Sequence, residues 1–106
     1  MQDFQVVISD LWRVIQSRKG AAPELSWSST LLADPPLAAK KLAEEAVETA
    51  LAAVQGDKAA VVAESADLIY HWLALLAATG VTPDEVAREL RRREGRSGLE
   101  EKAVRT

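Results

Sequence analysis

The sequence predicts an all-α domain of the four-helix-bundle type, and three observations support this prediction. Alanine accounts for 19 of the 106 residues, against five glycines and four prolines. Apolar side chains recur at helical spacing, and residues that cap helices stand between the apolar runs. The alternation typical of β-strands is scarce. We therefore expect residues 1–106 to fold as one helical domain around a single core.

The N-terminal part of the chain carries signals for two helices. Asp3 is a suitable N-cap for a helix over residues 4–17, and the Gly20–Pro23 segment ends that helix. Residues 26–32 are ambiguous, because their serines favour turns whereas Trp27 and two leucines favour burial. We predict a short helix for this segment.

Two long helices joined by a tight turn follow. Asp34 and the two prolines after it form a helix start, and the helical pattern runs to Val54. Gly56 suits the left-handed position after a helix end, and Asp57 can cap a helix over residues 58–79. The pattern therefore predicts an antiparallel helix hairpin.

The last predicted helix begins at a capping box. Thr82, Pro83 and Glu85 provide the cap, the proline of the first turn and the capping-box glutamate, and the helix is expected to reach Arg93. Glycine and serine then break the periodicity. The sequence predicts a basic polar tail over residues 94–106.

Composition and charge exclude several classes of function. The chain has no cysteine, which excludes a disulfide framework, a thiolate zinc site and a cysteine nucleophile. Residues 1–87 carry 12 acidic and six basic side chains, whereas residues 88–106 carry four acidic and seven basic ones. Acidic residues among the arginines disfavour nucleic-acid binding. The basic tail instead favours a phosphate-bearing small molecule as the ligand.

Neither a signal peptide nor a membrane span is predicted. The N-terminus lacks a basic region followed by a long apolar run. The longest apolar stretch, residues 68–78, contains Tyr70, His71 and Trp72 and is about half as long as the ~20 residues that a span needs. We therefore expect a cytoplasmic protein that binds neither membrane nor nucleic acid.

Acidic residues on the two hairpin helices are the candidate functional residues of this chain. Lys41, Glu44, Glu45 and Glu48 fall within about 100° of arc on the first of these helices. On the second, two carboxylates and His71 share one side of a helix that is otherwise apolar. A helix that is apolar all round is buried, so these two carboxylates are expected inside a core, where unpaired charge is costly.

The hairpin geometry pairs these carboxylates. Residues equidistant from Gly56 face each other, which places Glu48 opposite Glu64 and Glu45 opposite Asp67. Four converging carboxylates require a cation, and oxygen ligands select Mg²⁺ or Mn²⁺ rather than zinc. The alternative is that the glutamates of the first helix form only a solvated face.

These segments resemble a known superfamily. Residues 41–48, Lys-Leu-Ala-Glu-Glu-Ala-Val-Glu, and residues 64–71, Glu-Ser-Ala-Asp-Leu-Ile-Tyr-His, are similar to motifs of the all-α, MazG-like nucleotide pyrophosphohydrolases. The Ser-Trp-Ser of residues 26–28, the Tyr-His pair and the Ser-Gly-x-x-Glu-Lys pattern within residues 92–102 resemble the phosphoribosyl-ATP pyrophosphohydrolase family. The resemblance spans nearly the whole chain.

The resemblance implies a reaction and an assembly. It implies Mg²⁺-dependent hydrolysis of phosphoribosyl-ATP to phosphoribosyl-AMP and pyrophosphate, in histidine biosynthesis, by a homodimer or a larger homo-oligomer. Glu44, beside the ligands, is a candidate general base, with a solvated glutamate as the alternative. The catalytic metal ligands are then Glu45, Glu48, Glu64 and Asp67.

Several further residues are candidates for substrate contacts. The hairpin geometry places Lys41 opposite His71, although a buried histidine is more often a structural core residue. Basic and polar residues of the C-terminal part are plausible contacts to the phosphoribosyl end, with a solvated tail as the alternative. The tryptophans are expected in the core or a dimer interface rather than against a base. The complete set of substrate candidates is Lys41, His71, Arg93, Ser97, Lys102 and Arg105.

The sequence departs from the family pattern at three places. Ala43 stands where glycine is usual, Trp27 where tyrosine is common, and Pro35-Pro36 where a glycine-containing turn is usual. Two other functions therefore stay open. One is a house-cleaning pyrophosphohydrolase of dUTP or damaged nucleotides, and the other is a non-catalytic helical dimerisation module whose acids bind a structural ion.

Overall fold

The computed structural model describes residues 2–96 and 98–105, and these residues form helices with no strand among them. The predicted all-α class is therefore confirmed. The elements in chain order are α1 (Phe4–Ser17), a short 3₁₀ helix (Pro23–Leu25), α2 (Trp27–Leu32), α3 (Pro35–Val54), α4 (Lys58–Thr79), α5 (Pro83–Arg92) and α6 (Gly98–Arg105).

The helices begin where the local capping residues predict. The side chains of Asp3, Asp34 and Asp57 accept hydrogen bonds from backbone N–H groups in the first turns of α1, α3 and α4. Thr82 and Glu85 form the reciprocal capping box of α5. Because these hydrogen bonds are local, the sequence alone was sufficient to predict them.

The core lies among α1, α2 and the C-terminal half of α4. Ile15, Leu31, Leu73 and Ala74 are fully buried there. Partly buried residues of α1 and α4, including Trp12, pack around them. This packing fixes α2 against α4, and it places the first residue of α2 beside the middle of α4.

The expectation that α4 is buried all round is wrong. Its C-terminal half contributes the core residues, but Val62 in its N-terminal half is 72% exposed, Asp67 is exposed and Glu64 is only half-buried. The reason is that the core cluster formed with α1 involves residues 69–77 of α4, so nothing in that cluster covers the first turns of the helix. Sequence pattern does not reveal how far along a helix its neighbours extend.

The segment predicted as a basic polar tail contains a further helix. Residues 98–105 form the helix α6. The preceding helix ends at Arg92, and Gly95 adopts a left-handed φ of 83°. The new helix begins at Gly98, and its glutamate, lysine, alanine and arginine residues all favour helix.

One helix, α4, is long and apolar enough to cross a membrane by length and composition alone. This is weak evidence for a span, because the core helix of a soluble protein has the same properties. Buried His71 and the fully buried Leu73 lie within α4 and pack against protein, as in a core helix.

Candidate metal centre

Three carboxylates come together between the two hairpin helices. Glu45 and Glu48 lie one turn apart on α3, and Glu64 lies on α4. Each of the three offers one carboxylate oxygen, and these oxygens all lie within 4.8 Å of one another. We call these three residues the acidic cluster. Gly56, at a φ of 72°, allows the tight turn that brings the two helices together.

The acidic cluster contains two buried oxygens that lack a hydrogen-bond partner among the described residues. They are Oε2 of Glu45 and Oε2 of Glu64. Glu45 as a whole is 8% exposed. A buried carboxylate oxygen with no donor is costly, so the arrangement favours either a proton or a cation between these side chains.

The raised pKa values of two carboxyl groups in the cluster also show that negative charge is unfavourable there. Burial raises the pKa of Glu45. Hydrogen bonding to Glu48, followed by burial, raises the pKa of Glu64 to about 7. A proton on one of these neighbouring carboxylates relieves the repulsion between them. Without a cation, the cluster therefore retains a proton close to neutral pH.

The fourth predicted ligand, Asp67, lies beside the cluster but does not belong to its tight core. The charge of Asp67 contributes to the raised pKa of Glu45, as expected for residues that face each other across the hairpin. Asp67 is exposed rather than buried, because the N-terminal half of α4 is open to solvent. Its carboxylate therefore lies at the open side of the cluster.

Lys41 forms an ion pair on its own helix. Its ammonium nitrogen lies 3.0 Å from Oε2 of Glu44, one turn further along α3. This contact raises the pKa of Lys41 and lowers the pKa of Glu44. His71, which the hairpin geometry places opposite Lys41, is hydrogen-bonded to α2 and to the backbone of α4.

The contacts of α2 with α4 are the feature of this region that sequence reasoning missed. Trp27 donates its indole N–H to Nε2 of His71 over 3.1 Å, and Ser28 and Tyr70 share a hydrogen bond of 2.6 Å. The Ser-Trp-Ser segment and the Tyr-His pair were both recognised in the sequence. Nothing in the sequence indicated that they contact each other.

The C-terminal substrate candidates are described only in part. Arg93 is half-buried and donates to Glu89 over 3.1 Å, and Glu89, which also binds Arg92, has its pKa lowered to about 2. Lys102 is exposed on α6. Ser97 and the side chain of Arg105 lie outside the described residues.

The fold and this geometry define a class of protein. An all-α chain whose hairpin helices bring three carboxylates together, two of them with a buried and unpartnered oxygen, has the architecture implied by the resemblance to the MazG-like pyrophosphohydrolases. Comparisons with known proteins identify the family within that class.

A family model described as phosphoribosyl-ATP pyrophosphohydrolase matches residues 8–94. The phosphoribosyl-ATP pyrophosphatase of Caulobacter vibrioides (strain NA1000 / CB15N) is 58% identical over 99 residues, which cover 93% of this chain and 92% of the relative. That of Parvibaculum lavamentivorans is 58% identical over 96 residues, covering 90% and 88%. That of Paracoccus denitrificans is 54% identical over 96 residues, covering 90% and 89%. The chain belongs to the phosphoribosyl-ATP pyrophosphohydrolase family.

Proposed function

We propose that this chain hydrolyses phosphoribosyl-ATP to phosphoribosyl-AMP and pyrophosphate, as a step of histidine biosynthesis. The observation that carries the proposal is the acidic cluster, with its two buried and unpartnered oxygens, in a chain of this family. A substrate with three linked phosphates brings negative charge to the site, so the cluster can serve it only through a cation that both bind.

The residues present fit a divalent cation. The donor set of Glu45, Glu48, Glu64 and Asp67 is all oxygen, which suits Mg²⁺, with Mn²⁺ as a substitute. Glu45, Glu48 and Glu64 each offer an oxygen within 4.8 Å of the others, and Glu45 and Glu64 each have a buried, unpartnered oxygen that a cation would satisfy. A bound Mg²⁺ would supply charge neutralisation at the phosphates and a more acidic water.

The remaining residues of α3 would position the reactants. Glu44 is ionised at neutral pH and is the proposed acceptor of a proton from the attacking water. Its contact with Lys41 lowers its pKa. The water oxygen bonds to the α-phosphorus, the bond from that phosphorus to the bridging oxygen of the β-phosphate breaks, and pyrophosphate leaves. Lys41, held by Glu44, would contact the phosphates as they separate.

Contacts to the phosphoribosyl end are assigned to the C-terminal part of the chain. Arg93 and Lys102 carry fixed positive charge there, and Ser97 and Arg105 complete the proposed set. An arginine is well suited to a phosphate because its planar donors bind two oxygens at once. This assignment is supported by the charge of residues 88–106, which carry seven basic and four acidic side chains.

We also propose that the chain acts as a cytoplasmic homodimer or larger homo-oligomer. The hairpin exposes large apolar side chains near the loop between α3 and α4, which an isolated chain would leave in contact with water. We call this set the hairpin face; it consists of Val47, Leu51, Val54 and Val62, which are 52–85% exposed.

The decisive experiment compares substrates. The purified chain is incubated with phosphoribosyl-ATP, dUTP or ATP, with and without Mg²⁺, and pyrophosphate and the monophosphate are quantified. Mg²⁺-dependent turnover of phosphoribosyl-ATP in preference to the others is expected. Preference for dUTP would support the house-cleaning alternative, and no turnover of any substrate would leave a non-catalytic metal-binding module.

A further inference from the structure

Trp27 is unusual among the tryptophans of this chain. It is 45% exposed, whereas Trp12 and Trp72 are half-buried and pack against the core. One edge of its ring is nevertheless held by His71, because the indole N–H donates to Nε2 of His71 over 3.1 Å. The two rings meet edge to face with centroids 6.3 Å apart. Nearly half of the surface of Trp27 is therefore open to solvent while its indole N–H is held in place.

His71 is well placed to hold the indole. It is 6% exposed, and its Nδ1 lies 2.8 Å from the backbone oxygen of Asp67. A carbonyl oxygen can only accept, so Nδ1 carries the hydrogen and Nε2 has the lone pair that accepts from Trp27. Tyr70 packs edge to face against the same imidazole, with centroids 5.0 Å apart. Both ring nitrogens are thus committed to structural contacts.

The indole lies at one end of the face that carries the carboxylates. Glu64, Asp67 and His71 follow one another on α4 at intervals of three and four residues, so they share one side of the helix. His71 lies about 6 Å along the axis from Asp67 and about 10 Å from Glu64. A nucleotide whose phosphates lie at the acidic cluster could extend along this face toward Trp27.

The residues directly beside Trp27 in the chain are polar, and Leu25, two positions before it, is an exposed apolar residue. The polar neighbours, Ser26 and Ser28, use their hydroxyls within the structure, one to cap α2 and one to bind Tyr70. The hairpin face, in contrast, groups four apolar side chains. Purine rings stack on aromatic side chains through their π faces, and a single well-held indole is sufficient for this contact.

We propose that the exposed face of Trp27 stacks against the purine base of the nucleotide substrate and that His71 is the positioning residue that holds the indole for it. The inference rests on the proposed function, because the acidic cluster must bind the phosphates for the base to reach Trp27. It assigns to Trp27 a role in substrate binding and leaves the chemistry at the phosphates unchanged.

The first test is a kinetic comparison of variants at this position. With phosphoribosyl-ATP and Mg²⁺, Trp27→Leu is expected to raise KM about tenfold or more with kcat within about twofold of wild type, because stacking on an aromatic ring is lost. Trp27→Phe keeps an aromatic face, so its KM is expected to lie between those of the wild type and Trp27→Leu. Leu25→Ala, at a 73% exposed apolar residue nearby, is the matched control with unchanged KM.

A binding experiment separates failure of this inference from failure of the proposed function. ATP is expected to quench the tryptophan fluorescence of the wild type and of Trp12→Phe but not of Trp27→Phe, whereas inorganic triphosphate, which has no base, quenches none of them. This readout does not require turnover, so it decides the stacking role even if phosphoribosyl-ATP is not hydrolysed.

The role of His71 is tested with two substitutions. His71→Phe keeps a ring but loses both hydrogen bonds, and it is expected to raise KM and weaken the quenching by ATP with little change in kcat. His71→Gln, whose amide retains a donor and an acceptor, is expected to restore both values toward wild type. A merely structural histidine would change neither KM nor the quenching selectively.

Three results would overturn the proposal. The first is an unchanged KM in Trp27→Leu. The second is quenching by ATP that survives in Trp27→Phe, or equal quenching by inorganic triphosphate. The third is a Trp27→Leu variant that forms a smaller assembly in solution than the wild type while its KM is unchanged. That result would place this indole in a contact with a second copy of the chain.

Discussion

The ammonium of Lys41 lies 3.0 Å from Oε2 of Glu44, while the next residue along the helix, Glu45, directs its carboxylate into the acidic cluster. Lys41 thus neutralises by direct contact a carboxylate outside the cluster, and its attraction to Glu45 and Glu48 acts over a longer range. The negative charge of the cluster is left for a proton or a cation to balance.

Substitution of Glu45 is expected to remove activity without unfolding the protein. Glu45→Gln should reduce kcat by at least about 100-fold, the loss typical for a group that stabilises charge in the transition state. The folded state should persist, because the substitution also removes one member of a repelling carboxylate set. Steady-state kinetics and circular dichroism check the two parts. Glu24→Gln, at an exposed glutamate on the 3₁₀ helix, should behave as wild type.

Magnesium is expected to stabilise the protein through the cluster. At a free concentration 100 times its Kd, a ligand that binds only the folded state raises the free energy of unfolding by about 2.7 kcal/mol. Urea denaturation with Mg²⁺ and with EDTA measures this difference. In Glu48→Gln the stabilisation should shrink; an equal effect of Mg²⁺ on this variant would place the ion elsewhere.

The stability of the metal-free protein is expected to decline as the pH rises from about 4.5 to about 7. The folded-state pKa of Glu64, about 7, lies above its ordinary value of 4.5, so in this interval the folded protein keeps a proton that the unfolded chain has lost. Raising the pH through the interval therefore removes stability. Thermal melting in EDTA at several pH values tests this, and Glu64→Gln should flatten the decline.

The capping box of α5 is expected to contribute stability independently of the site. Oγ1 of Thr82 accepts from the backbone of Glu85, whose carboxylate accepts in turn from the backbone N–H of Thr82. Thr82→Ala should cost about 1 kcal/mol in the free energy of unfolding, with kcat unchanged. Thr82→Ser keeps the hydroxyl and should retain most of that stability, as chemical denaturation would show.

The hairpin face is expected to form the contact between copies of the chain. Leu51→Asp places a charge on this apolar surface and should shift the chain toward the monomer in sedimentation equilibrium, because a charge buried at an interface must be desolvated. Leu25→Asp, at an exposed leucine away from this surface, should leave the mass unchanged. If the Leu51 variant keeps the wild-type mass, the interface lies on another surface.

Much of the fold was predictable because its signals are local. Asp34 and Asp57 cap helices through hydrogen bonds to residues three positions away, and Gly56 adopts the left-handed conformation that its place in the turn requires. The approach of Glu48 to Glu64 was also predictable, since it follows from two regular helices joined by a short turn. Such features depend on spacing along the chain.

Other features depended on which elements meet in three dimensions. The sequence by itself determined the helices, their caps and the hairpin that brings the carboxylates together. Only the tertiary structure decided that α1 and α2 cover the C-terminal half of α4, leaving Asp67 exposed, and that Trp27 takes His71 as its partner. The physical reason is that burial and side-chain pairing between elements distant in sequence are set by how helices pack, and helical periodicity specifies the face of a helix but not the neighbour that covers it.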